Sequence, residues 1–357
     1  MNRFLAISTI ALLSLASSQA NNTNAEQPSA PKVSVDSVRR VFHNGEHNAF
    51  TDLCRFQGRY YLTFRSCPGG HAVNPSASII ILSSEDTKTW QQVHRFSVPQ
   101  RDTRDPHFLI FQEKLFVYTG TWYCGDSAPK SYDMNELLGY ATWSSNGDDW
   151  QEPIMLEGTY GHYVWRAAAH NGKAYLCGRR KHQFAKVASR AERDPIIESA
   201  LLESSDGLVW HTLGLFQQRN GDETAFLFKG DGSILAVARR GSGKNAQLCR
   251  SSPPYQQWQR KELDRYIGGP LVAKWGDRYV VGGRRTTTGK AAMSLCWLVG
   301  NDLEEFAELP SGGDTSYPGF VELSPTQALV SYYSSHEKDE AGKVMTAIYL
   351  AELSITP

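Results

Sequence analysis

Short apolar runs recur in pairs along the whole chain, each pair divided by a tight polar turn. The turns fall at Gly58, Glu113, Gly172, Gly232, Asp277 and Pro325. They are flanked by Tyr60–Phe64, Leu115–Tyr118, Ala174–Leu176, Ile234–Val237, Tyr279–Val281 and Ala328–Val330. These β-branched and aromatic runs predict strands. A third run follows each pair, as at Ser78–Leu82, and then a fourth, as at Gln91–His94. No 3.6-residue period competes with this pattern downstream of the N-terminal segment. The prediction is therefore six copies of a four-stranded antiparallel unit.

A second ruler agrees with the first. Ser84–Trp90 (SEDTKTW), Ser144–Trp150 (SSNGDDW) and Ser204–Trp210 (SSDGLVW) place their tryptophans 60 residues apart. A degraded copy, Ser252–Trp258, ends 48 residues further on. An Asx side chain can bond the amides that follow it, Gly accepts positive φ, and Trp covers the hairpin. The pattern resembles the Asp box of sialidases and related propellers.

Antiparallel units repeated radially make an all-β, six-bladed β-propeller. A β-solenoid is the rival, but this repeat is longer than its usual rung. The last copy ends at Thr346–Ala351 with no room for a fourth strand, so Lys32–Phe42 is expected to pair into the sixth blade and close the ring. The propeller is assigned to residues 33–357 and a disordered, Asn/Pro/Ser/Ala-rich spacer to 21–32. Residues 1–20 read as an export signal. Arg3 precedes an apolar stretch of 13 residues, Phe4–Ala16, too short to span a bilayer, and Ser18-Gln19-Ala20 supplies small residues at the cleavage site. A secreted or periplasmic location follows.

Charge narrows the partners. Lys+Arg and Asp+Glu both number 37, so no net field attracts nucleic acid or anionic membrane. No later apolar run is long enough for membrane insertion. A monomer is expected. The six cysteines permit disulfides in an exported chain, with Cys54 and Cys67 the pair to check, or serve as small buried hydrophobes. No nucleotide motif and no metal-ligand spacing occurs, so neither cofactor nor metal is predicted.

In a blade, the start of strand 1 and the end of strand 2 share one face of the disc. Seven residues after the inner turns stand Arg65, Gly120, Arg179, Arg239, Arg284 and Tyr332. At the strand-1 starts stand His47–Asp52, Arg104-Asp105, Trp165-Arg166, Asp222-Glu223, Gly268-Gly269 and Ser316-Tyr317. Together they predict a bowl of arginine, carboxylate and tyrosine. Guanidinium forks bind carboxylates in a bidentate manner, which points to an acidic oligo- or polysaccharide. The expected ligand-binding set is Arg65, Arg104, Asp105, Arg166, Arg179, Arg239 and Arg284. The bland alternative is that these arginines pair with Asp105, Asp222 and backbone to stitch blades together. Tyr163 and Trp165 could stack on a sugar or fill a blade.

Here the chain is similar to the sialidase superfamily over nearly all of the expected mature chain. Glu223 to Arg239 carries a strand-1 Glu, the Asp231-Gly232 hairpin and a strand-2 Arg. The resemblance implies that Tyr317 is the nucleophile, Glu223 its base and Arg239 a carboxylate clamp, with Arg284 or Arg285 as a second. Two features depart from the family. His47–Asp52 replaces the F-R-I-P motif, so its arginine would come from Arg65 or Arg104. The loop Ser66–Ala77, where the family keeps its acid Asp, has no carboxylate and offers His71. His71 or Asp52 is therefore the expected acid, and Asp105 could also supply acid or base. These residues imply an exo-glycosidase acting on an acidic sugar. A uronate lyase using the same bowl and a non-catalytic glycan-binding propeller are the alternatives.

Overall fold

The computed structural model describes residues 30–287 and 289–356. The expected export signal and most of the spacer lie outside the described residues.

Each repeat folds into one blade. Blade 1 contains β2 (His47–Phe56), β3 (Arg59–Cys67), β4 (Ser78–Ser84) and β5 (Gln91–Phe96). Blade 2 contains β6 (Arg101–Phe111), β7 (Lys114–Tyr123), β8 (Leu138–Ser144) and the short β9 (Ile154–Met155). Blade 3 contains β10 (Tyr163–His170), β11 (Lys173–Lys181), β12 (Ile197–Ser204) and β13 (His211–Gln217). Blade 4 contains β14 (Gly221–Phe228), β15 (Ile234–Arg240), β16 (Gln247–Ser251) and β17 (Gln259–Glu262). Blade 5 contains β18 (Gly268–Trp275), β19 (Arg278–Thr287), β20 (Lys290–Val299) and β21 (Asp302–Leu309). Blade 6 contains β22 (Thr315–Ser324), β23 (Gln327–Lys338), β24 (Val344–Ile355) and, as its outer strand, β1 (Val33–Phe42).

All six sheets are four-stranded and antiparallel. The innermost strands pack in sequence, and β22 packs against β2 to complete the ring. β1 lies antiparallel to β24, with Val33 opposite Ile355, so the N-terminal segment closes the sixth blade as expected. This gives β24 a partner on its outer edge, where an unpaired row of amides and carbonyls would invite another chain.

Burial follows position in the blade. Every residue of β4 and of β12 is buried, because neighbouring blades cover both faces. β4 therefore reads as an apolar run, Ile79-Ile80-Ile81, each side chain worth about 1.5–3 kcal/mol of burial, while β12 also buries Glu198 and Glu203. The outer strands β5 and β17 are largely exposed and polar.

The turn before the fourth strand is built alike in three blades. Asp86 Oδ1 accepts from the amides of Lys88 and Thr89 at 2.8 Å each. Asn146 Oδ1 takes Asp148 and Asp149, and Asp206 Oδ1 takes Leu208 and Val209, at 2.8–2.9 Å. Thr87, Gly147 and Gly207 take the positive φ that follows. The weaker copy keeps the hairpin without the Asx. Tyr255 adopts φ 64°, and Trp258 Nε1 still donates to its carbonyl at 2.8 Å.

All six cysteines are free. Cys54 faces Tyr61 across the β2–β3 ladder while Cys67 faces His47, so the register keeps the suggested pair apart.

Candidate active site

A regular strand alternates its side chains between two faces, which would aim only every second residue at the propeller axis. Each innermost strand breaks that rule within its first half. Its pairing slips at 50–51, 105–106, 165–166, 222–223, 269–270 and 317–318. These are β-bulges, which bend a strand and re-aim its side chains. Phe50, Asp105, Gly269 and Tyr317 hold φ of 64°, 54°, 56° and 55° there. For the three with side chains this conformation costs on the order of 1 kcal/mol each, borne by the surrounding blades. At Gly269 a Cβ would stand 2.6 Å from the Tyr317 ring, so only glycine lets that ring lie against the strand. Gly120 likewise leaves room for the Tyr163 ring.

The bulges of blades 1, 2, 4 and 6 converge on a cavity of about 430 Å³. At its floor, Tyr317 Oη donates to Glu223 Oε1 at 2.6 Å. Glu223 Oε2 accepts from Arg239 Nη1 at 2.8 Å. Asp222 lies between Arg239 Nε, at 3.4 Å, and Arg179 Nη1. The Tyr317 ring packs edge-on against Phe50 and Trp165, with centroids 4.8 and 5.9 Å away. Burial, and then the charges of Glu223 and Asp105, push its phenol well above the usual range. It cannot ionise alone near neutral pH. A carboxylate in contact is the group able to take its proton.

A second tyrosine–carboxylate pair faces the same cavity. Tyr163 Oη donates to Asp105 Oδ2 at 2.6 Å. Burial and the nearby Glu223 push the Asp105 carboxyl up to about 7, against the pull of Arg104. Its Oδ1 is buried with no partner among the described residues. Asp105 can therefore hold a proton near neutrality.

The cavity wall carries Arg104, Arg179, Arg190, Arg193 and Arg239 against Asp105, Asp194, Asp222 and Glu223. With Asp105 neutral, the balance favours an anionic ligand. Arg104 reaches the wall through its Nη2 bonds to Asp102, at 2.5 Å, and to the His71 carbonyl, at 2.9 Å.

Several expected site residues lie elsewhere. Arg65 is fully buried, and its guanidinium is spent on both oxygens of Asp102 and on the carbonyls of Gly70 and Ala72. It shapes the loop behind the cavity and cannot meet a ligand. Asp52 and Arg166 form a buried pair at 2.9 Å beneath the floor. Asp52 also accepts from the Phe108 amide and approaches His107, and Arg166 donates to the Pro318 carbonyl. Burial would raise the Asp52 carboxyl, but Arg166 and His107 outweigh it and hold it below its usual value. It has no proton to give. Arg284 lines a separate cavity with Tyr266 and Arg285, and donates to the Thr315 carbonyl at 3.1 Å. Trp165 is core filling. His71 does line the cavity that holds Tyr317, with Nδ1 held by Asp314 at 2.7 Å.

Arg190 and Arg193 were not anticipated. They ride on a one-turn helix, α1 (Arg190–Arg193), inside the connection between β11 and β12, where both meet Asp194. Tyr132 and Met134 come from the connection between β7 and β8. The signal was present in the sequence as length. These are the two longest links between second and third strands, and long links on a rigid scaffold tend to carry function.

Six blades around an arginine-lined bowl define a β-propeller with a cavity where its innermost strands meet. Its fold is similar to that of the propellers found in sialidases. A Dyadobacter fermentans protein of unknown function superposes with a TM-score of 0.75 at 20% identity, covering 92% of this chain and 100% of its own. A Hadza microbial sialidase gives 0.65 at 12% identity over 86% of this chain. Trypanosoma rangeli sialidase in complex with sialic acid gives 0.59 at 12% identity over 91% of this chain. The match spans 65% and 59% of those two sialidases' own lengths. At these identities the likeness is one of fold. No family model and no curated sequence matches the chain.

Proposed function

We propose that the protein is an exo-acting glycosidase that releases an acidic sugar from a glycan. The observation that carries this reading is the 2.6 Å contact between Tyr317 Oη and Glu223 Oε1 on the floor of an arginine-lined cavity. Tyr317 Oη attacks the anomeric carbon while its proton passes to Glu223. The bond to the leaving oxygen breaks as Asp105 protonates that oxygen. Water then attacks the anomeric carbon and gives a proton to Asp105; the bond from that carbon to Tyr317 Oη breaks, and the departing phenolate oxygen takes back the proton from Glu223. Using a phenol places a neutral nucleophile beside an anionic sugar, where a carboxylate would be repelled. Arg179 and Arg239 hold the sugar's anionic group, and Arg104 meets it from the blade 2 side.

Asp105 takes the acid role here in place of His71 and Asp52. Its raised proton affinity supports this, as do the salt-bridged state of Asp52 and the engagement of His71 by Asp314. The test is a panel of sialosides and uronides, as glycans and aryl glycosides, given to the wild type and to Glu223→Gln. Release that falls by about 10²–10⁴ in the variant supports the reading. No release on any substrate, with glycan affinity unchanged in the variant, would mean recognition without chemistry.

The twin tyrosine–carboxylate pairs favour one second reading, a uronate lyase in which Tyr163 and Tyr317 remove and deliver protons. Its product is an unsaturated uronate with ultraviolet absorbance, which hydrolysis does not make.

A further inference from the structure

Blades 1 and 6 meet at a cluster the proposed mechanism does not use. His47 opens β2, His71 lies in the loop after β3, and Asp314 immediately precedes β22. His47 Nε2 and His71 Nδ1 approach the same oxygen, Asp314 Oδ2, at 2.9 and 2.7 Å. The three atoms lie within 4.8 Å of one another. The other carboxylate oxygen, Oδ1, accepts from Tyr333 Oη at 2.8 Å, and Arg284 Nη1 stands 3.7 Å from it. Oδ1 is thus held by neighbours, and Oδ2 is turned toward two imidazoles.

We propose that His47, His71 and Asp314 form a binding site for a divalent transition-metal ion of the zinc class. Two imidazole nitrogens and one carboxylate oxygen match the donor set of three-ligand zinc sites, which leave a fourth position for water or a ligand oxygen. The donors are of intermediate hardness, so Zn²⁺ fits better than Ca²⁺ or Mg²⁺, which prefer all-oxygen shells. The Tyr333 bond is the kind of outer support that orients a ligating carboxylate.

The ion would staple the blade 1 loop to blade 6, across the joint where the ring closes. The loop's own chemistry makes the staple consequential. The His71 carbonyl accepts from Arg104 Nη2 at 2.9 Å, so fixing His71 also steadies an arginine of the bowl. Spacing could not reveal the site, because Asp314 lies 243 residues from His71 and 267 from His47.

The test is to load the purified chain with Zn²⁺, pass it through size exclusion and measure bound metal by elemental analysis. Substitution with Co²⁺ then reports the geometry through its visible absorption. The variants are His71→Ala, at a side chain 57% exposed, and Asp314→Asn, which keeps the volume of the carboxylate. The expected result is one equivalent of zinc in the wild type, falling at least about tenfold in both variants. The wild type alone should melt at a higher temperature as Zn²⁺ is added. A wild type that retains no stoichiometric zinc overturns the site, as does zinc retained equally by His71→Ala. Either result would leave a hydrogen-bonded His–Asp–His cluster. The measurement needs no glycan, so it stands or falls independently of the glycosidase reading.

Discussion

Replacing Arg65 separates a ligand arginine from a structural one. Its guanidinium makes four hydrogen bonds, to Asp102 Oδ1 and Oδ2 at 3.0 and 3.1 Å and to the carbonyls of Gly70 and Ala72 at 2.9 and 3.1 Å. Both members of the ion pair have no exposed surface. Arg65→Met would leave Asp102 buried with less compensation, and breaking such a pair costs about 3–5 kcal/mol. Asp102 keeps Arg104 Nη2 and the Asn74 amide, which places the expected loss near the lower end, about 3 kcal/mol. That is a large part of the 5–15 kcal/mol typical of folded domains, but not all of it. The assay is urea unfolding followed by tryptophan fluorescence, where the midpoint should fall at unchanged slope. Arg65→Lys keeps the charge, loses the fork and should fall between. Affinity for acidic glycans should drop only as far as the blade 1 loop loosens. A Met variant with the wild-type unfolding midpoint and selective loss of glycan affinity would refute this placement.

Asp105→Asn tests the proposed proton donor. Its carboxyl is raised to about 7 in the folded protein from 3.8 in the open chain, so the folded state prefers the neutral form. Its stabilising contribution is full below about pH 4 and is lost as pH rises through 7. Melting temperature should decline over that window in the wild type and decline less in Asp105→Asn, and turnover should fall through the same pH only in the wild type. A pH profile of stability identical in the two proteins would count against the raised carboxyl. Tyr317→Phe keeps the ring against Phe50 and Trp165 but removes the attacking oxygen, so turnover should fall at least as far as for Glu223→Gln while KM stays within a few-fold. Full activity in Tyr317→Phe on a panel substrate would remove the phenol from the mechanism.

The fold was legible because its signals are local. Turn chemistry at Asp86, Asn146 and Asp206 acts over three residues, and strand alternation over two. Six repetitions of such signals leave little freedom beyond the closure of the ring, and even that showed as a missing strand at one end and a spare one at the other. The convergence of Glu223, Arg239 and Tyr317 on one cavity was legible for a related reason, since each sits at a repeated position whose place in the blade the repeat defines.

What sequence position could not decide was the depth of each charged group. Arg65, Arg179, Arg239 and Arg284 occupy the same place in four blades, yet Arg65 is sealed by Asp102 and Arg284 turns to another cavity. Asp52 and Asp105 both lie at the bulges of innermost strands, yet one lies against Arg166 and the other against Tyr163. These differences come from the bulges, which reorient a side chain through a backbone change of one or two residues, and from partners on other blades far away in the chain. The sequence by itself determined the blades and the kinds of groups they carry. Only the tertiary structure decided which of those groups lose water to one another and which keep a face toward the cavity, because burial and charge pairing depend on neighbours that chain order does not specify.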